Sequence, residues 1–330
     1  MALLQWISLD TICLLTLGGN VKIGRFTFGV FLILACNFLF AAKEIFAKAA
    51  YREGSSPEYF IIIFVLVLIP FAAIIVIGHY IKRGRLHYRR KTILLSVLAG
   101  FLCYDLAMTL DFFGLTVVPV SIERSLFSVY PIFIYLGGLL IHPHSQIPRH
   151  VFWVVFSSIY AGVLLLFFDG YSSLTDDKAF HSYLFGSSEI LLSAATCAAF
   201  FLISEKVIEL TDPWFVAGIA MLSGSSLAAT HIVIAQPDII FSSHSPKLFA
   251  LAAAAAFCTL LSGYWICIGI RAIGAVYSGL ISAASPVFLV LIASPLLNEE
   301  VSLTQKSGIF LIGVGIGFLI WFRRNTDNAK

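Results

Sequence analysis

FFGLTVVPVSIERSLFSVYPIFIYLGGLL, residues 112–140, lies over CIGIRAIGAVYSGLISAASPVFLVLIASP, residues 267–295, when the chain is shifted by 155 positions. Gly114 then meets Gly269, Pro131 meets Pro286 and, farther on, Gly162 meets Gly317. A second shift, of 161, sets CNFLFAAKEIF (36–46) on CAAFFLISEKV (197–207), matching Cys36 with Cys197 and Glu44 with Glu205. The identities are few, and they suggest a duplicated unit without proving one.

The composition says what kind of unit it is. Of the 330 residues 59% are hydrophobic and 12% charged, about half the charged fraction of a soluble domain, so this is an integral membrane protein. A spanning helix needs about 20 mostly apolar residues. Ten such stretches are expected, at 27–47, 59–79, 92–114, 119–140, 150–168, 186–207, 213–235, 248–270, 274–296 and 306–322, with tight hairpins at 115–118 and 271–273. The predicted organisation is a cytoplasmic or interfacial segment (1–26), a five-helix repeat (27–168), an external linker (169–185), a second five-helix repeat (186–322) and a cytoplasmic tail (323–330). Residues 1–26 lack a basic start and contain Asp10, which argues against a cleaved signal. With both termini cytoplasmic, fourteen basic residues face the cytoplasm, while Lys48, Arg52, Lys178, Lys247 and Lys306 face outward. The positive-inside rule favours that orientation. The expected location is the bacterial inner or plasma membrane.

Five spans is an odd number, so a second copy must enter the bilayer from the opposite face. The expected fold is all-α, ten transmembrane helices in two inverted five-helix repeats, the architecture of transporters whose substrate site lies between the halves near the midplane.

The stretch GYWICIGIRAIGAVYSGLISAASPVFLVLIASPLLNEEVSLTQKSGIFLIGVGIGFLIWF (263–322) resembles the end of an EamA-type repeat of the drug/metabolite transporter superfamily. It has a Gly-aromatic start, Arg271 closing the eighth helix, Ser285-Pro286 in the ninth, an acidic hairpin at Glu299 and Glu300 and a Gly-rich tenth. EIFAKAAYREGSSPEYF (44–60) resembles the first hairpin more loosely, with Lys48 at its basic position. Two features depart from that pattern: Phe64 stands where the family often has Arg, and the fourth helix gains Glu123 and Arg124. The resemblance implies a membrane transporter and says nothing of its substrate.

Charge inside a bilayer is expensive and usually faces the bundle interior. The first half carries Lys43, Glu44, Asp105, Asp111, Glu123 and Arg124 within spans, whereas the eighth and ninth spans carry none. On the first helix Asn37, Glu44 and Lys48 share a stripe, so Glu44 is expected to pair with Lys48, while Lys43 projects about 100° away; the alternative is that all these ionisable groups snorkel outward. On the third helix Tyr104, Met108 and Asp111 share one face and Asp105 another. Asp105, near mid-membrane, is the stronger candidate, against a structural hydrogen bond as its plain alternative. The shift of 155 lays Glu123, Phe127 and Tyr130 on Ser278, Ser282 and Ser285, pointing Glu123 toward a central cavity, with Arg124 reaching Asp111 and leaving Glu123 available to substrate or proton. A purely structural ion pair is the alternative. Tyr264, Trp265 and Tyr277 are expected across the cavity, and Pro131 and Pro286 are expected to bend the fourth and ninth helices as gates. Gly308, Gly313, Gly315 and Gly317 suit close helix packing, including a homodimer contact.

The expected function is secondary transport of a small polar or amphipathic metabolite, with protons as coupling ion through Asp105 or Glu123. No cofactor, metal or nucleic acid is expected, and no P-loop, His-Glu-x-x-His or Gly-x-Ser-x-Gly is present. A flippase for a lipid-linked substrate is the alternative, and a membrane-embedded enzyme a more distant one.

Overall fold

A computed structural model describes residues 24–83, 90–118, 120–141, 147–167, 177–241, 245–297 and 302–328. Among them the chain is all-helical. Twelve helices follow in order: α1 Arg25–Arg52, α2 Pro57–Arg83, α3 Arg90–Val117, α4 Val120–Phe127, α5 Tyr130–Ile141, α6 Arg149–Phe167, α7 Asp177–Ile208, α8 Pro213–Ala235, α9 Pro246–Ile273, α10 Ala275–Ser282, α11 Ser285–Leu297 and α12 Leu303–Asn328.

Long apolar runs make these segments helical, because only a helix satisfies every backbone group within one segment in a medium without water. Their starts carry the usual signals. Asp212 caps α8 by accepting from Trp214 N at 2.9 Å, and Ser245 caps α9 by accepting from Lys247 N at 3.1 Å, each followed by Pro at the first helical position. Gly274, at φ 86°, turns the chain from α9 into α10 in a conformation that favours glycine.

Nine apolar helical stretches are long enough to cross a bilayer among the described residues, with α4–α5 and α10–α11 each counted once. The fifth expected span appears as the apolar stretch Arg149–Leu165, which is shorter. Helix α7 begins at Asp177, inside the expected linker 169–185. Residues 1–23, the loop 84–89, the linker residues 168–176, the hairpin with Glu299 and Glu300, and residues 329–330 lie outside the described residues.

The packing has a pattern. Helix α1 lies along α9 and α7 along α3; α1 also touches α11 and α7 touches α5; α2 meets α9 and α8 meets α3. Each contact maps onto another when the first five expected spans are exchanged for the last five, while α2 with α8 and α6 with α12 map onto themselves. Helices α1 and α9 run antiparallel, tied by Lys247 to Glu53 at one end (2.6 Å) and by Arg25 to the Arg271 carbonyl at the other (2.5 Å).

The fourth and ninth expected spans are broken helices. The interruptions fall at Ser128–Val129 and Ala283–Ala284, 155 positions apart. Val129 N bonds Leu126 O and Ile132 N bonds Val129 O; Ala284 N bonds Ile281 O and Val287 N bonds Ala284 O. The two detours are the same, since Pro131 and Pro286 cannot donate to the ladder and each helix restarts just before its proline. The broken helices cross, α4 against α11 and α5 against α10.

The glycines of α12 divide. A side chain on Gly162 of α6 would meet Gly308 O at 2.6 Å, and one on Gly315 would meet Ile159 at 2.8 Å, so Gly308 and Gly315 serve close packing of α6 on α12. Gly313 and Gly317 face open space.

Candidate functional site

Between the halves lies a cavity lined by α1, α2, α3, α4, α5, α7, α9, α10 and α11. Its walls are mostly aromatic, with Phe40, Phe64, Phe127, Phe200 and Phe201 beside Tyr104, Met108 and Tyr130. One end is ionic, formed by Lys43, Asp111 and Arg124, and the rest of its polar lining includes Asn37, Thr259, Ser282 and Ser285. Its free volume is about 90 Å³, room for several waters. An organic ligand therefore requires the rings to move apart.

The ionic end is a five-residue network. Lys43 Nζ stands 2.5 Å from Glu44 Oε1 and 3.2 Å from Asp111 Oδ2. Arg124 clasps Glu123 with Nε and one terminal nitrogen, both at 2.6 Å, and the same terminal nitrogen lies 3.0 Å from Glu44 Oε1 and 3.8 Å from Asp111 Oδ2. All five residues are buried, Glu44 and Glu123 completely. Lys43 also lies 4.8 Å from the Phe112 ring and Arg124 5.0 Å from that of Phe127, which adds cation–π attraction.

Three expectations for these residues are corrected. Glu44 pairs with Lys43 and Arg124, not with Lys48, because the flexible lysine stem bridges the 100° offset to reach the carboxylates. Lys48 donates instead to Leu115 O (2.7 Å) and Val118 O (3.3 Å), and Tyr51 donates to Phe112 O (3.2 Å), so the C-terminal end of α1 is tied to the C-terminal end of α3. Glu123 does not stay available: Arg124 holds it in a bidentate pair, and it does not line the cavity.

The two faces of α3 are separate as expected, but the stronger candidate changes. Tyr104, Met108 and Asp111 line the cavity; Asp105 does not, and its Oδ1 lies 3.0 Å from His231 Nδ1 on α8. Asp105 sits in a π-helical turn, Phe101–Ala107, just after a tight crossing of α3 on α8, where a side chain on Gly100 would strike Ala220 O at 2.2 Å and one on Gly224 would strike Gly100 O at 2.2 Å. Sequence reasoning missed His231.

Of the residues expected across the cavity, Ser282 lines it and Ser278 is fully buried outside it. Tyr264 stacks on Trp214 (centroids 4.9 Å apart) and, like Trp265, stays outside the lining. Tyr277 packs edge-on against Phe26, also outside it. Asn37 lines the cavity and donates Nδ2 to Ile281 O at 3.0 Å, at the α10 break. Pro131 and Pro286 sit at the two breaks.

Helix α7, which contributed no candidate, supplies Ser193, Cys197, Phe200 and Phe201. Cys197 shares the cavity lining with Cys103 of α3. The shift of 161 that paired Cys36 with Cys197 was the available signal. The same shift paired Glu44 with Glu205, whose Oε1 accepts from Ala275 N at 2.9 Å and so caps α10.

With fold and cavity described, comparison with known proteins is informative. Residues 184–321 match the EamA-like transporter family. The uncharacterized transporter YcbK of Bacillus subtilis (strain 168) is 24% identical over 310 residues, covering 90% of this chain and 95% of its own. A solved crystal structure superposes with a TM-score of 0.70 at 15% identity, covering 90% of this chain and 98% of its own, and shares the fold. The resemblance to the drug/metabolite transporter superfamily holds, and the family match and the relative together support a multi-pass membrane transporter.

Proposed function

We propose that this protein is a secondary transporter with ten spans in two inverted repeats, carrying a small polar or amphipathic metabolite through the central cavity by alternating access, with protons as coupling ion. The observation that carries this reading is the pair of broken helices. Interruptions 155 residues apart, with the same hydrogen-bond detour at each proline, cross beside the cavity. A break leaves a helix two stiff pieces that can pivot, and two equivalent breaks facing one cavity give two gates of equal construction. The exchange symmetry of the helix contacts supports the repeat, and α6, the counterpart of α12 in that exchange, completes ten spans. The bias of basic residues supports cytoplasmic termini.

Vesicles test this reading. Proteoliposomes loaded with a mixture of small metabolites should lose one solute class, chemically unchanged, faster than protein-free vesicles, and Ser282→Phe, which fills the cavity, should abolish the loss. A chemically altered solute would mean an enzyme, and lipid crossing leaflets without solute loss would mean a flippase.

A further inference from the structure

The two broken helices are built alike but lined differently. Under the shift of 155, Ser278, Ser282 and Ser285 stand at the second break where Glu123, Phe127 and Tyr130 stand at the first. Under the shift of 161, Asn37 of α1 answers to Ala198 of α7. One break therefore carries a group of uncharged oxygens, and the other carries rings and an ion pair.

Those oxygens lack partners. Asn37 donates Nδ2 to Ile281 O at 3.0 Å, which fixes its amide beside the break, and its Oδ1 makes no hydrogen bond to the described residues. The hydroxyls of Ser282 and Ser285 make none either. Asn37, Ser282 and Ser285 all line the cavity and are 0%, 5% and 7% exposed, so bulk water does not serve them. The backbone adds more acceptors. Pro286 has no N–H to offer the Ser282 carbonyl, and Val287 N turns to Ala284 O at 3.0 Å, away from Ala283 O. Helix α10 ends at Ser282, so the negative end of its dipole meets the same place.

The chemistry of the set narrows the ligand. An amide oxygen and backbone carbonyls can only accept, and a hydroxyl offers lone pairs as well, so the set suits a hard cation. None of its members is a carboxylate, whereas protein sites for Ca2+ and Mg2+ rely on carboxylates. The cation is therefore monovalent. Unwound carbonyls at the C-terminal end of a half-helix are the kind of group that holds alkali ions in transporters with interrupted helices. A short set of oxygens drawn from three packed helices suits Na+ better than the larger K+. The far end of the cavity does not repel it: Lys48 lies near Glu123, so Lys43, Lys48 and Arg124 together balance Glu44, Asp111 and Glu123.

We infer that the break between α10 and α11 holds a sodium ion, with Asn37 Oδ1, the hydroxyls of Ser282 and Ser285 and the Ser282 carbonyl as its protein ligands. The ion joins α1 to both pieces of the broken helix and so braces the break. The first break holds none, because Phe127, Tyr130 and Ala198 replace the oxygens. The inference goes beyond the transport reading and does not rest on it.

Thermal melts of the full chain in detergent test this, with Na+ replaced by K+ or N-methyl-D-glucamine at constant chloride, ionic strength and pH. The melting temperature should rise with Na+ by roughly 2–4 °C for each tenfold increase above the dissociation constant, and K+ should need at least about tenfold more to match it. Asn37→Ala should abolish the rise. Ser285→Ala should increase the Na+ required at least about tenfold, and Ser285→Thr, which keeps the hydroxyl, should restore the parent's response. Asp105→Asn, away from the break, should respond as the parent does. Should Asn37→Ala fail to fold, Ser285→Ala decides, together with binding of radioactive sodium to the parent, displaced by unlabelled Na+ and not by equal K+. A melting temperature indifferent to Na+, which is the result if water fills the place, would overturn the inference. So would K+ as effective as Na+, or a rise unchanged in Asn37→Ala or Ser285→Ala. Solute loss from vesicles is read separately: if it persists without a Na+ response, only the sodium site falls; if it fails while the response is present, the transport reading falls and the site stands.

Discussion

At the scale of single residues, Arg124 carries the greatest electrostatic weight. It neutralises Glu123, braces Glu44 and approaches Asp111, all buried. Removing one partner of a buried pair strands the other, at a cost of about 3–5 kcal/mol. Arg124→Leu should therefore unfold or strongly destabilise the protein in thermal melts, and Glu123→Gln combined with Arg124→Gln should be milder than Arg124→Leu alone. A double variant that is worse would contradict the pairing. Asp105 should behave otherwise: it stands outside that network, 3.0 Å from His231 Nδ1, and an amide in its place can still hydrogen-bond the imidazole. Asp105→Asn should leave the melting temperature nearly unchanged. Asp111 was legible from the α3 helical wheel, as was its separation from Asp105. The wheel could not rank them, because depth in the bilayer favoured Asp105 while the neighbours that decide the matter come from α1, α4 and α8.

At the scale of helices, two contacts set the geometry. The crossing of α3 and α8 at Gly100 and Gly224 is backbone against backbone, so Gly100→Ala cannot be absorbed by a rotamer change and should destabilise by roughly 1–3 kcal/mol or more, as overpacking does. Gly313→Ala, facing open space, is the control and should be silent in the same melts. The second contact is the packing of α3 on α7, where Cys103 and Cys197 both line the cavity wall. Oxidation by copper phenanthroline, which takes two electrons and two protons as the S–S bond forms, should cross-link the halves and stop exchange, with recovery on adding dithiothreitol. Exchange that continues in cross-linked protein would show that α3 and α7 move as one body. The helices themselves were legible as apolar runs, and the breaks were announced by Pro131 and Pro286. The π turn was not legible, because nothing in FLCYDLA distinguishes it from an ordinary α-helical segment.

At the scale of the whole molecule, the helix contacts of the two halves correspond while their chemistry differs. The first keeps the charge; the second contributes hydroxyls and, through Glu205, a capped helix start where the first has an ion network. The spacing of the two helix breaks was foreshadowed by the identities at a shift of 155. The cavity lining from α7 was not, because a chain read for charge passes over Ser193, Cys197 and two phenylalanines. These residues matter only once α7 is laid against α3 and α5.

The central claim is that one cavity is reached from each side of the membrane in turn. Cys197 lines that cavity and is partly exposed to it, so it reports access directly in a variant whose other cysteines are replaced by alanine. A small membrane-impermeant thiosulfonate should modify Cys197 both in right-side-out and in inside-out vesicles, with each rate falling when a bound ligand holds the cavity closed. Modification from one side only, under every condition, would contradict alternating access.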